Sequence, residues 1–134
     1  MSNKPIALGL GCDRNTPLAT VSQAIEQALA LCQASLNDVR AVASIDLKAD
    51  EPALQQLARQ QGWTIRFYTA AELAQVDVPT PSETVRRHTG TPSVSEAAAL
   101  LAAHTNKSNL IIEKHRLRGP DGRNATVSIA RIPL

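Results

Sequence analysis

Pro5-Ile6-Ala7-Leu8-Gly9-Leu10-Gly11-Cys12-Asp13-Arg14-Asn15-Thr16-Pro17 is the stretch whose reading decides the fold. Its apolar run ends in glycines, which predicts a buried strand from Pro5 to Gly11. A polar turn follows, Cys12 to Asn15. Thr16-Pro17 has the form of a helix N-cap with proline at the first helical position. From Leu18 to Ala34, the residues Val21, Ile25, Ala28, Leu29 and Cys32 recur at helical spacing, so an amphipathic helix is expected there.

The alternation continues outward from this opening. Val39 to Ile45 is a second apolar run, expected as a strand, and Asp46 to Asp50 is a polar turn. Glu51-Pro52 opens a second helix, with Leu54, Leu57 and Ala58 inward and Gly62 just past its end. Thr64 to Tyr68 is β-branched and aromatic, hence a third strand. Thr69-Ala70-Ala71-Glu72 has capping-box spacing and starts a short helix to about Gln75. Asp77 to Pro81 holds two prolines and reads as a loop. Ser82 suits the cap of a helix over Glu83 to His88, and Thr89 to Pro92 breaks the chain again. Ser93-Val94-Ser95-Glu96 repeats the capping-box spacing ahead of Ala97 to Ala103. Leu110 to Lys114 and Thr126 to Ile132 are strand candidates, and the turn Gly119-Pro120-Asp121-Gly122 between them favours a hairpin. The expected class is α/β, a single domain over residues 1–134. Its architecture is expected to be three-layer, with a mainly parallel sheet, helices on both faces and an antiparallel C-terminal hairpin at the edge.

Composition narrows the partners. The chain has 134 residues, enough to bury a sizeable core without staples. Aromatic content is 2%, with Trp63, Phe67 and Tyr68 as the whole set, so the core must be aliphatic. That shortage argues against single-stranded nucleic acid, which binds by stacking on aromatic side chains. No apolar stretch approaches the ~20 residues that span a bilayer. Two cysteines without metal-ligand spacing and no secretory leader lead to an expectation of free thiols in a cytoplasmic protein. Charge is uneven: residues 1–85 carry 6 Lys/Arg against 9 Asp/Glu, and residues 86–134 carry 8 against 3. The basic C-terminal third is either a solvated face or an attraction for an anionic ligand.

Ligands of open parallel sheets bind where loops leave the carboxyl ends of the strands. Three segments fit. In the first, Gly9, Gly11, Cys12, Asp13 and Arg14 precede a helix whose positive end points at the same place. A dinucleotide fingerprint would need a third glycine where Arg14 stands, which disfavours a nucleotide. The second segment carries Ser44, Asp46 and Lys48 at the exit of a buried strand. Strand alternation puts Asp46 and Lys48 on one side, as a structural ion pair or as an acid–base pair; Glu51 reads as a helix-start residue. The third, from Gly90 through Ser93 to Glu96, is a helix N-terminus rich in hydroxyls and N–H donors, suited to a carboxylate or phosphate. Lys114, on a strand, is placed to reach a carboxylate from the same side. No metal cluster and no Ser/His/Asp set stands out among the scattered histidines His88, His104 and His115, and neither a metal nor a cofactor is expected.

Five segments in order resemble one family: Gly9 to Arg14; Ser44 to Glu51; Pro81-Ser82-Glu83; Ser93 to Leu100; and Lys114 with Ala125 to Arg131. They are similar to CobE and the CbiG C-terminal domain, from about Ile6 to Arg131. Nothing precedes the first strand, so the chain looks like a free-standing member. The resemblance implies a role in building the corrin ring of cobalamin. CbiG-type proteins are associated with hydrolysing the ring lactone of cobalt-precorrin-5A and releasing acetaldehyde. The N-terminal CbiG regions are missing from this sequence, so that activity does not carry over directly. Two functional expectations follow. One is a protein that binds a polycarboxylate precorrin or corrinoid at Gly9, Gly11, Cys12, Asp13, Arg14, Ser44, Asp46, Lys48, Ser82, Gly90, Ser93, Glu96 and Lys114. The other is a lactone hydrolase using Asp46, Lys48 and Glu96 for acid–base work and Cys12 as nucleophile. An accessory contact with another pathway enzyme is a third expectation; neither nucleic acid nor membrane is expected as a partner.

Overall fold

The computed structural model describes residues 4–79 and 93–133. Five strands form one sheet: β1 (Ile6–Cys12), β2 (Val39–Ile45), β3 (Ile65–Tyr68), β4 (Leu110–Arg118) and β5 (Asn124–Arg131). The described helices are α1 (Leu18–Leu31), α2 (Pro52–Gln61), α3 (Ala70–Ala74) and α4 (Val94–Ala103), with single 3-10 turns at Leu36–Asp38, Asp46–Lys48 and Lys107–Asn109. The helix expected over Glu83 to His88 lies outside the described residues.

The strand order is β3-β2-β1-β5-β4. β1 and β2 pair in parallel, as do β2 and β3. β5 runs antiparallel to β1 along the full length of β1, from Ile6 opposite Arg131 to Cys12 opposite Ala125. The C-terminal hairpin thus forms the expected antiparallel edge of the sheet, joined to β1 through β5. β5 lies inside the sheet and only β4 takes the edge, with β4 reaching four residues beyond its expected end at Lys114.

Alternation along β1 sorts its side chains between separate clusters. Ile6, Leu8 and Leu10 pack with Ala24, Ile25 and Ala28 of α1, Leu54 and Leu57 of α2, and Ala125, Val127 and Ile129 of β5. Ala7 instead packs with Ala99, Leu100 and Ala103 of α4. Ala43 and Ile45 of β2 meet Ala97 and Ala98 of α4 together with Leu73 and Val78. α4 is thus an apolar, almost wholly buried helix built from small side chains, as its run of alanines requires.

Gly9 explains that choice of small residues. A Cβ placed on Gly9 would stand 1.8 Å from the Ser95 carbonyl oxygen and 2.6 Å from the Ala99 nitrogen. The backbones of β1 and α4 touch there, and no side chain fits between them. Gly11, two residues on, is different: among the described residues, its added Cβ would meet only Thr126 Cβ, at 3.8 Å.

Helix ends differ in detail from expectation. Pro17, not Thr16, is the N-cap of α1, and Thr16 instead donates its hydroxyl to the Asp13 carbonyl at 2.7 Å. α1 stops at Leu31, three residues early, because Gln33 turns into a left-handed conformation (φ 57°). The Thr69–Glu72 capping box forms as expected, and Gly62 closes α2 in the left-handed conformation.

The contact at Gly9 makes a direct prediction. Gly9→Ala should cost at least the upper end of the ~1–3 kcal/mol typical of overpacking, because both clashing atoms are backbone. Gly11→Ala should leave stability within about 0.5 kcal/mol. Urea unfolding of the two variants beside the parent chain checks this; equal midpoints for both would contradict the close seat of α4.

Candidate functional site

β1, β2 and β3 point their carboxyl ends to the same end of the sheet, and the N-terminal part of α4 lies there too. Ser95 sits over Gly9, and the Ser128 hydroxyl donates to Ser95 Oγ at 2.9 Å. Ser128 is the β5 residue opposite Gly9. α4 runs back from this point, so that Ala103 meets Ala7 and Ala130 near the start of β1.

The first loop is clamped onto the second. Arg14 Nη1 bridges Asp50 Oδ1 at 2.7 Å and Glu51 Oε1 at 2.8 Å, while Nη2 donates to the Leu47 carbonyl at 2.8 Å. Glu51, which reads in the sequence as a helix-start residue, is 0% exposed and also accepts from the Asn15 amide at 3.1 Å. A buried carboxylate is tolerated only when paired and hydrogen-bonded, and Arg14 and Asn15 supply both. Asn15 reaches it from a left-handed conformation (φ 65°). The same guanidinium holds the exposed Asp50 carboxyl below the usual carboxylate range, chiefly through their hydrogen bond. Asp13 is also engaged: its Oδ2 accepts from the Asn124 backbone N–H at 2.7 Å and side-chain amide at 3.2 Å, tying the loop to the start of β5.

Other expected residues are placed as follows. Ser44 is fully buried and donates to the Leu10 carbonyl at 2.7 Å, joining β2 to β1. Asp46 and Lys48 lie in a 3-10 turn rather than on an extended strand end, and no ion pair between them occurs among the described residues. Glu96 is fully buried in the first turn of α4. Lys114 lies half-buried in the middle of β4. Ser82 and Gly90 lie outside the described residues. Ser93 is the N-cap of α4, but its hydroxyl makes no capping bond; it is 1% exposed and has no hydrogen-bond partner among the described residues.

Cys12 is half-buried at the end of β1. Burial pushes its thiol up to about 11, against an opposing pull from Lys48; Glu51 and Asp13 push the same way as burial. At neutral pH the group is a thiol, whereas nucleophilic attack needs the thiolate. No group of His, Cys, Asp and Glu able to hold a metal occurs among the described residues. No helix among them is long and apolar enough to cross a membrane.

The sequence reading missed Glu51 and Arg116. Glu51 carried no signal beyond its place before Pro52. Arg116 had one: it follows Lys114 at strand spacing in the basic third. Across the sheet, Gly11 pairs with Thr126, and Thr126 pairs with Arg116. At the opposite end, past the C-terminus of α4, an open groove is lined by Val76, Asp77 and Thr105 to Ser108, with Lys107 bridging Asp77 at 2.9 Å.

Residues 6–130 match the family described as Cobalamin synthesis G C-terminus. The chain is 37% identical over 130 residues to a cobalt-precorrin-5A hydrolase of Priestia megaterium, covering 97% of this chain but 33% of that protein. It is 40% identical over 111 residues to Protein CobE of a Sinorhizobium species, covering 81% of this chain and 71% of the relative. The crystal structure of CobE, a protein from the cobalamin biosynthetic pathway, superposes with a TM-score of 0.81 at 32% identity, over 98% of this chain and 93% of that one.

The buried thiol gives a measurable outcome. In a Cys32→Ser variant, the alkylation rate of Cys12 should rise with pH through about 11. Folding stability should be complete below the ordinary thiol value of 9.0 and decline from there to about 11, because only the unfolded chain ionises in that window. An alkylation midpoint at or below 9.0 would contradict the burial argument.

Proposed function

The chain belongs to the cobalamin synthesis G C-terminus family and is a CobE/CbiG-like protein of cobalamin biosynthesis; from that premise we propose that it binds a polycarboxylate precorrin or corrinoid intermediate at the carboxyl end of its sheet. One observation carries the reading. Gly9 lets α4 descend onto β1, so that Ser95, in the first turn of α4, lies over Gly9, one row before Gly11 toward the strand ends. A helix N-terminus favours negative charge, and the corrin precursors carry acetate and propionate arms. The basic C-terminal third supports the same reading. Each exposed charge contact contributes only ~0.2–1 kcal/mol, so several must converge on one ligand.

In this reading Gly9 and Ser44 shape the floor, and the Arg14–Glu51 clamp with Asp13 fixes the loop wall. Gly11, Ser93, Glu96 and Lys114 border the ligand, with Asp46 and Lys48 at its rim. We take the sheet as the middle of three layers: the alternation of β1 side chains between the α1–α2 and α4 clusters supports helices on both faces. The same proposal has the chain act as a single domain in the cytoplasm, where other enzymes of the pathway would receive the ligand.

A second reading is hydrolysis of the ring lactone of a precorrin-5-type intermediate. It is favoured by the 37% identity to the cobalt-precorrin-5A hydrolase, of which this chain spans one third. Asp46, Lys48 and Glu96 would then be the acid–base candidates; the raised Cys12 thiol makes it a poor nucleophile.

Titration of the purified chain with late precorrins, followed by the visible spectrum, should give a saturable shift. No binding at high micromolar ligand would overturn the proposal. Incubation with a lactone-bearing precorrin separates the two readings: ligand bound and recovered unchanged supports a carrier, and ring opening supports the hydrolase.

A further inference from the structure

We propose that Arg116 is a carboxylate-binding residue of this site, acting across from the N-terminus of α4; the inference rests on the ligand class proposed above. Side-chain direction comes first. His115 bonds Gln27 of α1 at 2.8 Å, and Leu117 packs with the α1–α2 cluster. Arg116 lies between them on the strand, so its side chain leaves the sheet on the opposite side. The same test applies along the row. Leu10 and Cys12 flank Gly11 and belong to the α1–α2 cluster, as do Ala125 and Val127, which flank Thr126. Gly11, Thr126 and Arg116 therefore share one face, in register across three neighbouring strands.

That face is the one α4 covers, and α4 ends just short of this row. Its first turn covers Gly9 and Ser128, which are paired with each other. The next row of the same parity, ~7 Å further along the strands, is Gly11–Thr126–Arg116. The floor there is glycine and threonine: among the described residues, an added Cβ on Gly11 would touch only Thr126.

Two kinds of donor then border this row. The Val94 and Ser95 amides belong to the first turn of α4 and have no acceptor within the helix. Ser93 adds a buried hydroxyl without a hydrogen-bond partner among the described residues, a costly arrangement unless something else accepts from it or donates to it. Across the row stands a guanidinium, whose planar fork suits a carboxylate. Neighbouring arginines are occupied. Arg123 is held by Asp121 at 3.0 Å and by the Arg14 carbonyl, and Arg118 lies against the turn at Gly122. Among the described residues no carboxylate pairs with Arg116. The arrangement fits one carboxylate held at the mouth of α4 and a second on Arg116, as adjacent arms of one ring would present them.

The test uses two corrins of opposite side-chain chemistry: cobyrinic acid, with free carboxylate arms, and cobinamide, with amide arms, each titrated into the intact chain by visible absorbance. The parent should prefer cobyrinic acid. Arg116→Gln should weaken cobyrinic acid about tenfold while leaving cobinamide unchanged, and Arg116→Lys should restore part of the loss. Ser93→Ala should weaken cobyrinic acid about threefold or more. Arg59→Gln, an exposed arginine on α2, should bind as the parent does. Arg116→Gln binding cobyrinic acid with the parent's affinity, while the parent prefers the acid, would overturn the role of Arg116 alone. A parent chain that binds neither corrin would overturn the ligand class itself.

Discussion

The direct backbone contact between α4 and β1 at Gly9 governs the rest of the molecule. A strand and a helix usually stand apart by the thickness of their side chains. Here the Ser95 carbonyl and the Ala99 amide occupy the space where a Cβ would be. That seat requires small residues on α4, and Ala97, Ala98, Ala99 and Ala103 supply them. It also fixes where the helix begins. With its backbone seated on Gly9, the first turn of α4 lies toward the carboxyl ends of the parallel strands, one row short of Gly11.

A second constraint acts on the loops. Arg14 joins the loop after β1 to the loop after β2, and Glu51 accepts from both Arg14 and Asn15 while shut away from water. Leaving either partner unpaired would strand a buried charge, so the two loops are positioned as one wall. Asp13 extends that wall to β5. These residues look like ligand-binding groups in a linear reading, yet much of their hydrogen-bonding capacity serves the protein itself. The groups proposed to meet a ligand lie instead on α4 and β4.

The alternation of apolar runs with amphipathic segments made the order of elements legible from the sequence, as the spacing of Val21, Ile25 and Ala28 in α1 illustrates. Glycine was informative at Gly9 and Gly11 without distinguishing them, since only the crossing of α4 makes one indispensable for packing. The interior place of β5 was not legible, because a hairpin turn dictates the pairing of β4 with β5 but not which of them joins β1. Asp46 and Lys48 were expected on one face by strand alternation; the chain had already tightened into a 3-10 turn there. Glu51 was hidden because its partner lies 37 residues away, and nothing local announces a buried ion pair. Arg116 was hidden by register, which only the paired strands reveal.

The proposed seat of a corrin polycarboxylate is the strand-end row below the N-terminus of α4. Backbone amide chemical shifts measured by NMR during a titration with cobyrinic acid locate the ligand without any substitution. The largest changes should fall on Gly11, Ser95, Arg116 and Thr126. Changes centred instead on Thr105 to Ser108, in the groove at the other end of the sheet, would contradict it.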